Sequence, residues 1–298
     1  MAKENTTATD IAPAKLADEA AAASFKLDPH LINLMWSEPF FSKILRRVTK
    51  KKTDSIPTAG VLAKDGQLMM WWNPRFLAGL TSAQVKGLLK HECYHLVFEH
   101  TTTRKHDPHI IWNYATDLAI NSDIPEEQLP EGGLIPGKAF KELTEDDKAK
   151  MGPEAVGRYE RVSAKIASFP KGESSEWYFT KLMEDPEIAE DIQEAAKGDG
   201  EAGPGMPGAM DDHEGWGEMS DEEKELLKGK IRKAVEDAVK DCDSSGRWGS
   251  VGAEMRKTLR ELISKEVDWR SVLRKFCGLS RRADRRGTGC LPTRRYHP

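Results

Sequence analysis

From Leu27 to Val48 the apolar residues of LDPHLINLMWSEPFFSKILRRV recur at helical spacing, with Pro39 in the middle of the run. Proline removes a backbone donor and clashes with the preceding turn, so the pattern predicts one helix bent or broken near Pro39. The next stretch, TAGVLAKDGQLMMWWNP, has two short apolar runs flanking AKDGQ. Its Asp-Gly pair is a hairpin signal and predicts a small antiparallel sheet. Helical spacing returns in LTSAQVKGLLKHECYHLVFEH at Val85, Leu88, Leu89, Val97 and Phe98, with Thr81 or Ser82 placed to cap. A largely buried helix is expected there. After the polar link TTTRKHDP, the segment HIIWNYATDLAINSDI predicts another helix, ended by the Pro/Gly-punctuated PEEQLPEGGLIPG.

Residues 139–180 are highly charged with further helical segments, among them SSEWYFTKLMED, whose serines can cap and whose Trp177, Tyr178 and Leu182 can dock. GDGEAGPGMPGAMDDHEG lacks periodicity and has the composition of a flexible linker. Two helical stretches follow, SDEEKELLKGKIRKAVEDAVKDC, with Ser220 as cap and Glu223 three residues on, and AEMRKTLRELISKEVDWRSVLRKFCG. DCDSSG between them has a residue order unlike a von Willebrand metal motif and follows an acidic helix, so a helix end and turn are expected. The pattern as a whole predicts an α+β fold, mainly helical.

Composition narrows the function classes. Of the 298 residues 32% are charged and 38% hydrophobic, so part of the chain is expected to stay unpacked. A net charge of −4 points to neither a nucleic-acid binder nor a membrane-surface protein. The charge is unevenly spread, acidic between Glu184 and Glu223 and Arg-rich from Arg270 to Arg295. That basic tail has no regularly interleaved aromatics of a nucleic-acid binder, which leaves a solvated linker or a docking site for an acidic partner. The first 25 residues lack the apolar core of a signal peptide, and no run approaches the roughly 18 apolar residues of a membrane span, so a cytoplasmic protein is expected. Cys93, Cys242, Cys277 and Cys290 lie far apart without a CxxC pair and are expected as reduced thiols.

Within the predicted buried helix stands His91-Glu92-x-x-His95. Residues four apart share a helix face, which lets two imidazoles bind one Zn²⁺ at about 2.0–2.1 Å each. Glu92, beside the metal without ligating it, can accept a proton from the attacking water; this is the zincin arrangement for peptide hydrolysis. A catalytic zinc needs a third protein ligand. The longer metzincin pattern is absent, because Phe98 and Thr101 stand where it requires glycine and histidine. His100, five residues after His95, reaches the same metal only if the helix ends or turns there. Asp117 on the following helix is the better candidate, and Asn121, one turn on, is placed to orient it. His106 and His109 lie in a polar link and are expected to face solvent. His213, in the island DDHEGW, is an alternative ligand.

With NPRFLAGLTSAQVKGLLKHECYHLVFEH, WNYATDLAIN, LP and VDWRSVLRKF together, the chain resembles bacterial and phage metallopeptidases that carry a C-terminal von Willebrand factor A-like domain. The resemblance runs from about residue 30 to the end. It implies a zincin-like core, with His91 and His95 as metal ligands, Glu92 as the catalytic acid residue and Asp117 as the aspartate of the second helix. DDHEGW and PTRRY match further landmarks of the family. The A-like domain that usually follows the RRY landmark is not found before Pro298, which implies a stand-alone domain or a truncated sequence. The expected organisation is a disordered tail (1–25), a zincin-like core (26–184), an acidic linker (185–219), a helical segment on the core (220–279) and a basic tail (280–298). Expected partners are a peptide or protein substrate and, by family context, an AAA-type ATPase or an A-domain protein, without nucleic acid or membrane. Zinc-dependent peptide hydrolysis is the leading expectation. The alternatives are a catalytically silent interaction or assembly module on a zincin scaffold and a helical binding protein with an accidental HExxH.

Overall fold

A computed structural model describes residues 19–64, 66–100, 104–197 and 220–264. The first apolar run breaks at its proline into α1 (Asp28–Ser37) and α2 (Pro39–Leu45), with Glu38 between them in a non-helical conformation. Pro39 takes the first position of α2, where no amide donor is needed. Residues 19–24, expected within a disordered tail, are instead helical. Ala22 is buried, and Phe25 stacks on His30 and meets Trp72 edge-on, so tertiary contact anchors a turn too short to persist alone.

The hairpin forms between β2 (Ala59–Lys64) and β3 (Gln67–Trp72), antiparallel from Ala59 opposite Trp72 to Lys64 opposite Gln67. Gly66 sits in the turn with a φ of +68°, a conformation that glycine adopts without steric cost. The sheet is not purely antiparallel, however. A further strand, β1 (Thr49–Lys52), pairs parallel with β3, giving a mixed sheet of order β1-β3-β2. Its sequence, TKKK, has no apolar alternation to announce a strand, and lysines on an outer strand discourage pairing with other chains. On the central strand Leu68, Met70 and Trp72 alternate into the core.

After α3 (Pro74–Ala78) come α4 (Ser82–Val97) and α5 (His109–Asn121), then a single 3₁₀ turn at Glu126–Gln128. The charged region folds into α6 (Glu145–Met151), α7 (Pro153–Ala167), α8 (Ser175–Met183) and α9 (Pro186–Lys197). Their apolar stripes meet α5 in one core that includes Trp112, Leu118, Val162, Ile166, Tyr178 and Ile192. The long α10 (Asp221–Ser245) opens with the Ser220–Glu223 capping box and ends at Gly246 in the left-handed conformation. Its buried Leu227, Ile231, Val235, Ala238 and Cys242 form a helical stripe, and the helix packs on α2, with Asp241 paired to Lys43.

The chain divides after Ser250 into two units. In the second, the described element is α11 (Ala253–Ser264), with Met255 and Leu259 buried one turn apart. His213, Cys277, Cys290, most of the acidic linker and the basic tail lie outside the described residues. Among the described residues no helix is long and apolar enough to cross a membrane.

Candidate metal centre

Helix α4 holds the candidate residues in a nearly closed environment. Twelve of its sixteen residues are buried, and it touches α1, α2, α5, α10, β2 and the 3₁₀ turn. Its start is fixed by a capping box, in which Thr81 Oγ1 accepts from the Gln84 amide at 3.2 Å and Gln84 Oε1 accepts from the Thr81 amide at 2.9 Å. A helix buried on every side must find partners for its polar residues. Lys90, 1% exposed, donates to Gln128 Oε1 at 2.9 Å and Ser250 Oγ at 2.8 Å, and its charge faces Glu38 at 3.8 Å. Glu38 Oε2 in turn accepts from the Ser250 amide at 2.8 Å.

The end of α4 is a Schellman turn. The Glu99 amide donates to the Leu96 carbonyl at 3.1 Å, the His100 amide donates to the His95 carbonyl at 3.0 Å, and Glu99 adopts a φ of +59°. This reversal folds His100 back beside the last turn.

His91 and His95 project from α4 toward Asp117 of α5. The two Nε2 atoms lie 3.0 Å apart, and Asp117 Oδ1 lies 3.5 Å from His91 Nε2 and 3.3 Å from His95 Nε2. In a tetrahedral site with ligands about 2.0–2.1 Å from the ion, ligand atoms are separated by about 3.3–3.4 Å; the two distances to Asp117 Oδ1 lie near this, and the two imidazole nitrogens are somewhat closer. Among the described residues these three form the cluster of side chains able to hold a metal ion, and all are buried. Asp117 Oδ1 faces both imidazoles yet accepts no well-aligned hydrogen bond, so a buried carboxylate oxygen is left with its lone pairs directed into the cluster. Burial pushes the Asp117 carboxyl up, but the two imidazoles pull it down by more, and it lies below the ordinary carboxylate range.

The other imidazole nitrogens explain the orientation. His91 Nδ1 lies 2.9 Å from Asn121 Oδ1, while Asn121 Nδ2 donates to the Leu134 carbonyl at 2.8 Å. Because Nδ2 must be the donor to a carbonyl, Oδ1 is the acceptor, and His91 carries its proton on Nδ1. In the neutral imidazole the Nε2 lone pair then points into the cluster. His95 Nδ1 lies 3.3 Å from His100 Nδ1, and His100 Nε2 lies 3.4 Å from Ser175 Oγ. Two imidazole nitrogens and a carboxylate oxygen converging in a buried space call for a cation, either a proton or a metal.

Glu92, next to His91 on the helix, has no exposed surface. Asn121 was expected to orient Asp117, but it bonds His91 instead, because the helical offset between α4 and α5 brings it opposite the first histidine. The helix does end near His100, yet the turn delivers that imidazole to the far nitrogen of His95, not to the three donors. His106 is exposed and packs against Trp112 with ring centres 4.5 Å apart. Sequence reasoning missed Ser175, the Leu134 carbonyl and the Lys90–Glu38 pair. A small cavity of about 80 Å³ adjoins the triad, with Ala59, Phe76, Leu88, Leu129 and Leu134 in its wall beside His91 and Asp117.

An uncharacterized protein of Thermotoga maritima is 27% identical over 276 residues, covering 89% of this chain and 62% of the relative. The chain thus spans about three-fifths of that relative's length. No solved structure matches it. The family model described as "Putative metallopeptidase domain" matches residues 23–296, nearly the whole chain, and the chain belongs to that family.

Proposed function

We propose that the chain is a zinc-dependent metallopeptidase, in which His91, His95 and Asp117 hold Zn²⁺ and Glu92 is the general base for peptide-bond hydrolysis. The observation that carries this reading is the convergence of the two Nε2 atoms and Asp117 Oδ1 at 3.0–3.5 Å in a buried site. Two imidazoles and one carboxylate suit zinc and leave a fourth position for solvent or substrate. When bound, the ion would supply Lewis acidity and lower the pKa of water toward about 7.

The protein's own residues have separable roles. Glu92 accepts the proton of the attacking water on its carboxylate and passes it to the leaving amine. Asn121 holds His91 in the tautomer that keeps Nε2 unprotonated. The cavity, whose wall is mostly apolar, would receive an uncharged side chain of the substrate next to the scissile bond. β2 contacts α4 and places Ala59 in the cavity wall, so a substrate side chain bound there would lie beside the sheet. A zincin-type plan, with sheet, HExxH helix and third ligand from the next helix, is part of this proposal.

Elemental analysis and peptide hydrolysis of the zinc-repleted protein test the reading. About one zinc per chain is expected, lost in His91→Ala and retained in Glu92→Gln, with hydrolysis of a peptide library lost in both. No zinc in the wild type would end the enzyme reading in favour of a zincin-shaped interaction module. Zinc bound without hydrolysis of any library peptide would end the peptidase reading and leave a metal-binding module.

A further inference from the structure

We propose that His100 and Ser175 are positioning residues that set the tautomer of His95 and so hold it ready for the metal. The inference rests on the metal-binding part of the reading above and not on peptide hydrolysis. For His95 to offer a lone pair from Nε2, its single proton must sit on Nδ1. That atom lies 3.3 Å from Nδ1 of His100, which is 1% exposed. If His95 Nδ1 donates, His100 Nδ1 accepts, and the proton of His100 is on Nε2, where it faces Ser175 Oγ at 3.4 Å. The chain of donors then runs outward from the cluster to a buried hydroxyl.

The reverse polarity has the opposite consequence. Were His100 Nδ1 the donor, neutral His95 would carry its proton on Nε2, directed at His91 and Asp117, and the cluster would be closed to a cation. In the first polarity the Ser175 hydroxyl, which can accept as well as donate, takes the proton of His100 Nε2, so the chain of residues can serve the open site.

Three separate features place this chain of residues. The Schellman turn returns His100 toward His95, although Glu99 must adopt a left-handed conformation that non-glycine residues avoid. Trp112 on α5 meets the His100 ring edge-on at 5.8 Å. Ser174 caps α8 by accepting from the Trp177 amide at 3.2 Å, which leaves the neighbouring Ser175 to face His100. The packing of α8 on α5 thereby reaches the metal ligands, and the partners behind both histidines, His100 and Asn121, bring no carboxylate. Asp117 is then the single anion among the three ligands and these two partners.

The test is zinc affinity by chelator competition, together with the visible spectrum of the Co²⁺-substituted protein, for wild type, His100→Asn, His100→Leu and Ser175→Ala. Asparagine retains an acceptor near the place of Nδ1, whereas leucine fills similar space without one. His100→Asn should bind zinc within about 3-fold of wild type with an unchanged Co²⁺ spectrum, and His100→Leu should bind about 10–100-fold more weakly with a shifted spectrum. Ser175→Ala, which removes only the distant end, should lose affinity in the same direction but less. Equal affinity of His100→Leu and wild type, or equal loss in His100→Asn and His100→Leu, would overturn the proposal. If the wild type binds no zinc, the metal reading itself fails; if it binds and only the His100 variants disagree, that reading stands and this role is lost.

Discussion

Gly87→Ala gives a test in which two physical effects have opposite signs. In the interior of α4, alanine should stabilise the helix by about 1 kcal/mol over glycine. A Cβ built at Gly87, however, lies 1.9 Å from the carbonyl oxygen of Gln128, and ordinary contact begins near 3.4 Å. About 1.5 Å of displacement is therefore required, and it must come from backbone, since the obstructing atom cannot rotate away. Overpacking of this kind costs typically about 1–3 kcal/mol, and a backbone clash belongs at the upper end. The net expectation is destabilisation by about 1–2 kcal/mol, or a Tm lowered by about 2–8 °C for a unit of this size. Zinc affinity should fall as well, because Gln128 leads directly into Leu129–Leu134, whose last carbonyl holds Asn121 behind His91. Thermal unfolding and chelator competition read both effects. A Tm equal to or above that of the wild type would show that helix propensity decides, and would refute the close approach of the 3₁₀ turn to α4.

Zinc at 100-fold above its Kd should stabilise the wild type by about 2.7 kcal/mol, seen as a rise in Tm, with no rise in His91→Ala; equal shifts in both would place the ion elsewhere. Lys90→Met should cost about 3–5 kcal/mol in urea unfolding, because it leaves Glu38 buried without its cation, and adding Glu38→Gln should recover part of the loss. A double variant no better than the single would mean that packing, not charge, is at stake. Burial raises the Glu176 carboxyl, but its bond to Arg104 and that residue's charge lower it further, leaving it below the reference value of 4.5. A depressed carboxylate contributes stability above its unfolded pKa and loses it as pH falls through the folded value, so Glu176→Gln should flatten the stability profile below about pH 4.5. Parallel profiles from pH 6 to 3 would remove this pair as a source of acid sensitivity.

Elements with a strong local signal were legible in the sequence. The break at Pro39, the Asp-Gly hairpin, the caps at Thr81 and Ser220 and the turn at Gly246 follow from backbone chemistry within a few residues. The exceptions depend on contacts distant in sequence. β1 pairs parallel with β3 through main-chain groups that TKKK does not advertise, and the helical turn at residues 19–24 is anchored where Phe25, just after it, meets Trp72 some fifty residues away. Periodicity registers a face that a segment buries, and neither segment carries one.

The candidate site divides along the same line. The four-residue spacing of His91 and His95 fixes their common face, and a helix following α4 was a reasonable source of Asp117. Which neighbour serves which histidine depends on how α4 and α5 are offset, and that offset is set by packing. It assigns Asn121 to His91, so that Asp117 is held by no bond from its own helix partner. His100 illustrates the limit more sharply. Its position in the sequence admits a ligand or a bystander, and the difference lies in one residue, Glu99, whose left-handed backbone directs the imidazole to His95 Nδ1. Ser175 could not be found from spacing at all, since Ser174 and Ser175 are chemically alike and only the three-dimensional path of α8 decides that one caps and the other meets His100. A pattern search detects the atoms that would touch a metal. The groups that determine whether those atoms present a lone pair or a proton come from α5, α8 and the segment after the 3₁₀ turn, and it is there that substitutions should separate a working site from a mere HExxH string.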